Sequence, residues 1–182
     1  MTVQKDFADK NGNYDILLKH VANRKLRRII DIGAWWGPWS LFWQPHAEKL
    51  ELFEPNKRIL PMLENNISPY DNCTLHKIAL GESKGTVSMG YDTHSGTNHV
   101  TDLQGDTEMR TLDSYSFQDV DVIKIDVEGY EIPVLKGAKH TTMTNSPLIQ
   151  IEGNSSGQRY GIHKKQISEL LSSWGMTRLE KK

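Results

Sequence analysis

Cysteine is nearly absent from this chain: Cys73 is the only one in 182 residues. A single thiol excludes an internal disulfide and any zinc site built from several cysteines. Long apolar runs are missing too. No stretch approaches the ~20 residues that a membrane-spanning helix needs. The start, Met1-Thr2-Val3-Gln4-Lys5-Asp6, lacks the apolar centre of a secretory signal. Neither sign of charge dominates, since 22 Lys and Arg face 23 Asp and Glu for a formal net charge of −1. That balance gives no electrostatic case for a polyanionic partner such as nucleic acid. Lys19, Arg24, Lys25, Arg27 and Arg28 follow Asp6, Asp9 and Asp15, so this local basic patch reads as a solvated helix face. These absences predict a soluble, cytoplasmic protein with neither a membrane nor a nucleic acid as partner. The length suits one domain over residues 1–182.

What is present begins with Arg28-Ile29-Ile30-Asp31-Ile32-Gly33-Ala34-Trp35-Trp36-Gly37-Pro38. This reads as a short apolar strand entering a glycine turn that opens a helix. Pro38 suits the helix start, where its missing N–H would be unpaired anyway. Glycine, having no Cβ, lets a backbone approach a ligand closely. A side chain at Gly33 is therefore expected to intrude on that ligand and to leave the sheet folded. A second strand, Leu50-Glu51-Leu52-Phe53-Glu54, ends on a carboxylate 21 positions after Gly33. Nucleotide-binding α/β folds place an acidic residue at about that distance to hold ribose hydroxyls. The Gly33-x-x-x-Gly37 spacing differs from the Gly-x-Gly-x-x-Gly of dinucleotide sites, which disfavours a pyrophosphate over the turn.

Apolar runs alternate with helical patterns along the chain, the signature of βαβ units on a parallel sheet. Helices are expected at Tyr14–Val21, around Trp39, Phe42 and Trp43 up to Pro45, and through Leu60, Leu63 and Ile67 behind an Asn56 cap. Thr74–Ala79 reads as a third strand. From Gly81 to Leu112 the rhythm breaks into an inserted β-ribbon with a flexible tip at His94–Gly105. The pattern resumes with a strand at Val122–Asp126, a helix at Ile132–Lys139, a strand at Leu148–Glu152 and a helix carrying Ile167, Leu170, Leu171 and Trp174 before Gly175. Met176–Leu179 reads as a last strand. Four carboxylates sit where apolar strands are expected to end: Asp31, Glu54, Asp126 and Glu152. In open α/β sheets ligands bind beyond the carboxyl ends of the strands, so a shared site is expected there.

Asp31-Ile32-Gly33-Ala34, Phe53-Glu54-Pro55-Asn56, Arg110-Thr111-Leu112-Asp113-Ser114 and Ile123-Lys124-Ile125-Asp126-Val127-Glu128-Gly129-Tyr130-Glu131 together resemble FkbM-type S-adenosylmethionine-dependent methyltransferases. Val134-Leu135-Lys136-Gly137-Ala138 extends the likeness. It implies a three-layer Rossmann-like sandwich around a mainly parallel sheet, with the ribbon inserted. Such folds finish with an antiparallel hairpin, whereas this sequence reaches Lys182 after one candidate strand of it. The expectation is a shortened sheet, or a homodimer whose second subunit covers the edge.

The resemblance implies S-adenosyl-L-methionine as cofactor. Asp31, Gly33 and Ala34 would face its methionine portion, Glu54 both ribose hydroxyls, Ala79 with Ile78 the adenine, and Asp126 would close the site. Gly37 completes the turn. Trp35 and Trp36 depart from the small or polar residues usual there; one packs against the sheet, or one ring flanks the sulfonium, and Trp35 is counted among the cofactor-binding residues. Methylation of a hydroxyl needs proton removal, for which Glu128, just past the fourth strand, and His99 or His94 on the ribbon tip are the candidates. For Glu128 a structural role, holding backbone amides or capping the next helix, stands as the alternative. The implied function is O-methylation of a sugar, glycan or other small polar metabolite. A nicotinamide-dependent oxidoreductase and a non-catalytic cofactor-binding module are the rival readings. Asp126, Glu152 and Asn154 offer oxygens suited to Mg²⁺, but the resemblance requires no metal and none is expected.

Overall fold

The computed structural model describes residues 17, 19–21, 24–90, 99–152, 160, 161 and 163–179. Its centre is a five-stranded, wholly parallel sheet in the order β3-β2-β1-β7-β8. The strands are β1 Leu26–Ile32, β2 Ala47–Phe53, β3 Cys73–His76, β7 Val120–Ile125 and β8 Leu148–Ile151. β1 and β7 bury most of their residues, Asp31 and Lys124 included, because both faces of the sheet are covered. On one face, Leu17, Val21, helix α1 (Pro38–Trp43) and helix α2 (Leu60–Ile67) pack on Ile29, Leu50, Leu52 and Val122. On the other, helices α3 (Glu131–Lys136), α4 (Lys139–Asn145) and α5 (Lys164–Ser173) flank a core containing Ile30, Ile32, Phe53, Ile123 and Ile125. The expected three-layer α/β sandwich is the observed one. Among the described residues no helix is long and apolar enough to cross a membrane.

The chain fills the sheet outward from β1 to β3, then crosses back to β7 on the other side of β1. Strand order therefore reverses between β1 and β7, and the crevice at that switch point opens at their carboxyl ends.

Several boundaries differ from those read in the sequence. The third strand is two: β3 ends at His76, and β4 (Ala79–Leu80) leaves the central sheet to pair with β6. In the ribbon, β5 (Gly85–Gly90) pairs antiparallel with β6 (His99–Arg110), so 99–105 is strand rather than tip. Met89↔Val100 pairing extends the ladder, and Val100 joins Val87, Met109 and Ala79 in a small core of its own. Irregular pairing on both sides of Ser88 absorbs the surplus residues of β6 as bulges. The rest of the expected tip, including His94, lies outside the described residues. So do residues 14–16 of the expected first helix, of which Leu17 and residues 19–21 are helical.

Asn56 does not cap α2. Its Oδ1 accepts the Arg58 amide at 3.0 Å in a turn before the helix, and Ile59 is the N-cap. Arg27 and Arg28 belong to β1, where they form ion pairs with Asp121 and Glu51. Met176–Leu179 is not a strand, and Gly175, at φ +78°, ends the α5 turn as expected.

The expected helix 132–139 breaks at Gly137-Ala138 into α3 and α4. A Cβ on Gly137 would lie 1.9 Å from the Gly81 carbonyl oxygen, so the backbones meet where no side chain fits. Asp113 then caps α4 from across the fold: its carboxylate accepts the amides of His140 at 2.9 Å and Thr141 at 2.7 Å. Asp113→Ala is expected to lower the unfolding free energy by about 1–2 kcal/mol, the usual cost of a lost cap. Urea denaturation should show an earlier midpoint with an unchanged slope.

Candidate functional site

Backbone bonds carry the parallel register one residue past each strand. The amide of Gly33 donates to Phe53 O at 2.9 Å, Glu54 to His76 O at 3.1 Å, Asp126 to Ile32 O at 2.9 Å and Glu152 to Ile125 O at 3.0 Å. Gly33, Glu54, Asp126 and Glu152 thus form a row at the sheet's carboxyl edge. Asp31 does not join it. Lying two residues before Gly33, it is fully buried, accepts the Ser40 hydroxyl at 2.7 Å and pairs with Lys124 at 3.2 Å.

Three members of that row, Gly33, Glu54 and Asp126, line a crevice. It brings together seven of the ten residues singled out in the sequence: Gly33, Trp35, Glu54, Ala79, His99, Asp126 and Glu128. Ala34 is buried in the core, Gly37 meets Leu63 at the start of α1, and Asp31 sits inside the fold, so these three lie outside the lining. Phe53, Ile78 and Leu80 add apolar surface near Ala79, and the ribbon contributes Met89 and Val100.

Gly33 has a second reason to be glycine, different from ligand approach. At φ +78° a Cβ there would lie 1.8 Å from the backbone oxygen of Asp126. The clash is with the β7 end, so the expectation that a substituted Gly33 leaves the sheet intact is corrected. The turn holds further strain: Trp35 is at φ +53°, and Glu128, which also lines the crevice, is at φ +52°. Bulky residues avoid this region, and such outliers cluster where function imposes them.

Glu54 explains how Trp35 is kept there. One carboxylate oxygen accepts the Trp35 amide at 2.8 Å, and the other accepts the Asn56 amide at 2.8 Å. Burial pushes this carboxyl up to about 7, against the pull of those two amides. A carboxylate offers about four acceptor positions, so two remain for ligand hydroxyls. This is the observation by which the residues fit an adenosyl ligand: paired acceptors at the β2 end, beside the apolar patch of Phe53, Ile78, Ala79 and Leu80.

Two polar groups that the sequence reading passed over complete the site. Lys124 is buried on β7, its ammonium 3.2 Å from Asp31 and 3.4 Å from Asp126, donating to the Gly33 carbonyl at 3.1 Å. Burial alone would push Lys124 down, but Asp31 and Asp126 together raise it above the usual lysine range. Glu131 is the other. Its carboxylate accepts the Gly129 amide at 3.0 Å. Glu128 itself lines the crevice. The charge of Asp126, then burial, raise Glu152 to about 7. Among the described residues no cluster of side chains suits a metal ion, and Asn154 lies outside them.

Comparison with known proteins agrees with this geometry. The chain is similar in structure to an FkbM methyltransferase from Methylobacillus flagellatus KT, at a TM-score of 0.52 and 20% identity over 70% of this chain and 33% of that one. It also resembles precorrin 8W decarboxylase of Methanobacterium thermoautotrophicum, at a TM-score of 0.56 and 13% identity over 92% of this chain and 73% of that one. At these identities the likeness speaks for the fold. In sequence it is 34% identical over 61 residues to ribosomal RNA small subunit methyltransferase A of Bacillus licheniformis, covering 34% of this chain and 21% of that protein. The chain thus spans about a third of the FkbM structure and a fifth of the ribosomal RNA enzyme. The methyltransferase FkbM domain, whose cofactor is S-adenosylmethionine, matches residues 31–173. With its glycine turn and carboxylate row inside that span, the chain belongs to the FkbM methyltransferase family.

Proposed function

We propose that this chain transfers the methyl group of S-adenosylmethionine to a hydroxyl of a sugar, glycan or other small polar metabolite. The observation that carries the reading is Glu54, a buried carboxylate with two acceptor positions left, facing a crevice at the switch point. Glu54 would hold the ribose hydroxyls, and Ile78 with Ala79 would lie against the base. The bound donor supplies an electrophilic methyl on a sulfonium. Trp35 lines the same space, and its ring would flank that cation, an attraction of ~0.5–2 kcal/mol.

The protein must also align the acceptor and take its proton. Glu128, on the strained turn after β7, and His99, on β6, both line the crevice and are the two groups we assign to this task. As methyl joins oxygen, the hydroxyl proton passes to one of them and S-adenosylhomocysteine leaves. A nucleic-acid acceptor is disfavoured by the lining, which carries Glu54, Asp126 and Glu128 but no Lys or Arg among the described residues. Phosphates are met by cations, not by carboxylates.

The test is methyl transfer from radiolabelled S-adenosylmethionine to a panel of neutral sugars, glycans and small alcohols. Glu128→Gln or His99→Ala should lower the rate by about 10²–10⁴-fold for whichever residue takes the proton, with S-adenosylhomocysteine affinity little changed. Transfer to amines alone, or none to any hydroxyl, would remove the O-methyl reading.

A further inference from the structure

A lysine in a strand covered on both faces requires an account of its charge. Lys124 sits directly opposite Asp31 in the β1–β7 register, and its side chain is 8% exposed. Its ammonium has three N–H bonds and three acceptors around it: Asp31 at 3.2 Å, Asp126 at 3.4 Å and the Gly33 carbonyl at 3.1 Å. Neutralising Asp31 would need only the first. The other two belong to residues that line the crevice, whereas Lys124 does not line it.

We infer that Lys124 is a positioning residue for the donor site. From beneath, its ammonium ties the glycine-turn carbonyl of β1 to the carboxylate that follows β7. That link sets the spacing and orientation of the two strand ends across the switch point. Without it the Asp126 side chain and the Gly33 peptide lose their common anchor, although Gly33 still donates to Phe53 O. This inference rests on the reading of the crevice as the S-adenosylmethionine site.

Lys124→Met alone leaves Asp31 buried and uncompensated, which destabilises any fold. The informative variant combines it with Asp31→Asn, since a buried pair replaced on both sides is often tolerated. Thermal unfolding of this double variant should stay cooperative, while its affinity for S-adenosylhomocysteine, measured by calorimetry, should fall at least ~tenfold. Adding Asp126→Asn should weaken binding less in that background than in the wild-type chain, because Asp126 is already released. A folded double variant with wild-type affinity overturns the inference, as do additive effects of Asp126→Asn. The unaltered protein offers a measurement free of folding defects. With ¹⁵N-labelled lysine side chains, the Lys124 ammonium resonance should shift on saturation with S-adenosylhomocysteine, and saturation with no shift also overturns it. If the wild-type chain binds no S-adenosylhomocysteine, it is the donor-site reading that fails.

Discussion

Gly33→Val should destabilise the whole domain, by roughly 2–5 kcal/mol. Two terms add. A non-glycine residue in the left-handed region costs about 1–2 kcal/mol, and Gly33 is at φ +78°. A branched side chain must also displace the Asp126 carbonyl, which a Cβ would approach to 1.8 Å; forced overpacking costs typically ~1–3 kcal/mol. The carbonyl cannot simply retreat, because the Asp126 amide is bonded to Ile32 O at 2.9 Å and the Gly33 amide to Phe53 O at 2.9 Å. The strain therefore spreads over β1, β2 and β7. Chemical denaturation should show a much earlier midpoint, or no cooperative transition. A wild-type midpoint with donor binding abolished would instead restore the simpler view, in which this glycine serves only ligand approach.

Replacing Glu54 should have the largest effect on donor binding, and it carries a pH signature. Glu54→Ala removes both ribose acceptors and strands the amides of Trp35 and Asn56. Hydrogen bonds to a charged group are worth ~1.5–3 kcal/mol, so S-adenosylhomocysteine affinity should drop on the order of 10–100-fold. An unchanged dissociation constant removes Glu54 from the ribose role. In the wild-type chain the carboxyl stands at about 7, so below that pH it is protonated and has fewer acceptor positions. Donor affinity should therefore weaken as pH falls through 7, and Glu54→Gln should flatten that dependence.

Stability should move the other way. The folded pKa lies above the unfolded value near 4.5 because burial disfavours the charge. Between the two values the native state binds more protons than the unfolded chain, so stability falls as pH rises. Relative to Glu54→Gln, the wild type should lose roughly 2–3 kcal/mol of unfolding free energy between pH 5 and 8. Urea titrations at the two pH values measure this directly. Opposite pH trends in binding and in stability would mark a carboxylate kept charged for a ligand at the fold's expense.

Much of the architecture was legible in the residues. β1, β2 and β7 end in stretches rich in Ile, Leu, Val and Phe that are buried because both faces of the sheet are covered. Leu60, Leu63 and Ile67 repeat at helical spacing and are all buried on one side of α2. The glycine turn and the carboxylates Glu54, Asp126 and Glu152 sit where their position after an apolar run placed them, because a charge at a strand end has nowhere else to go but the edge. The ribbon was visible as an interruption, yet its strands were drawn too short. Ser, Thr, Asn and Gly resemble loop residues until a partner strand supplies backbone hydrogen bonds, as β5 does for His99 and Val100.

What the sequence by itself determined was therefore periodic: which segments are strands or helices, and which strand ends carry charge. The tertiary structure alone decided which charges meet. Asp31 and Glu54 both look like acids near the end of an apolar run, but Asp31 stops two residues short of the edge and turns to Ser40 and Lys124 inside. Lys124 reads as one polar residue in an apolar strand until the β1–β7 register sets it opposite Asp31, 93 positions away. Gly33 and Gly137 look like ordinary turn residues until the carbonyls of Asp126 and Gly81 close on them. Spacing along a chain reports what shares a face of one element. It carries no information on which distant element that face will touch, and contacts of that kind hold this crevice open.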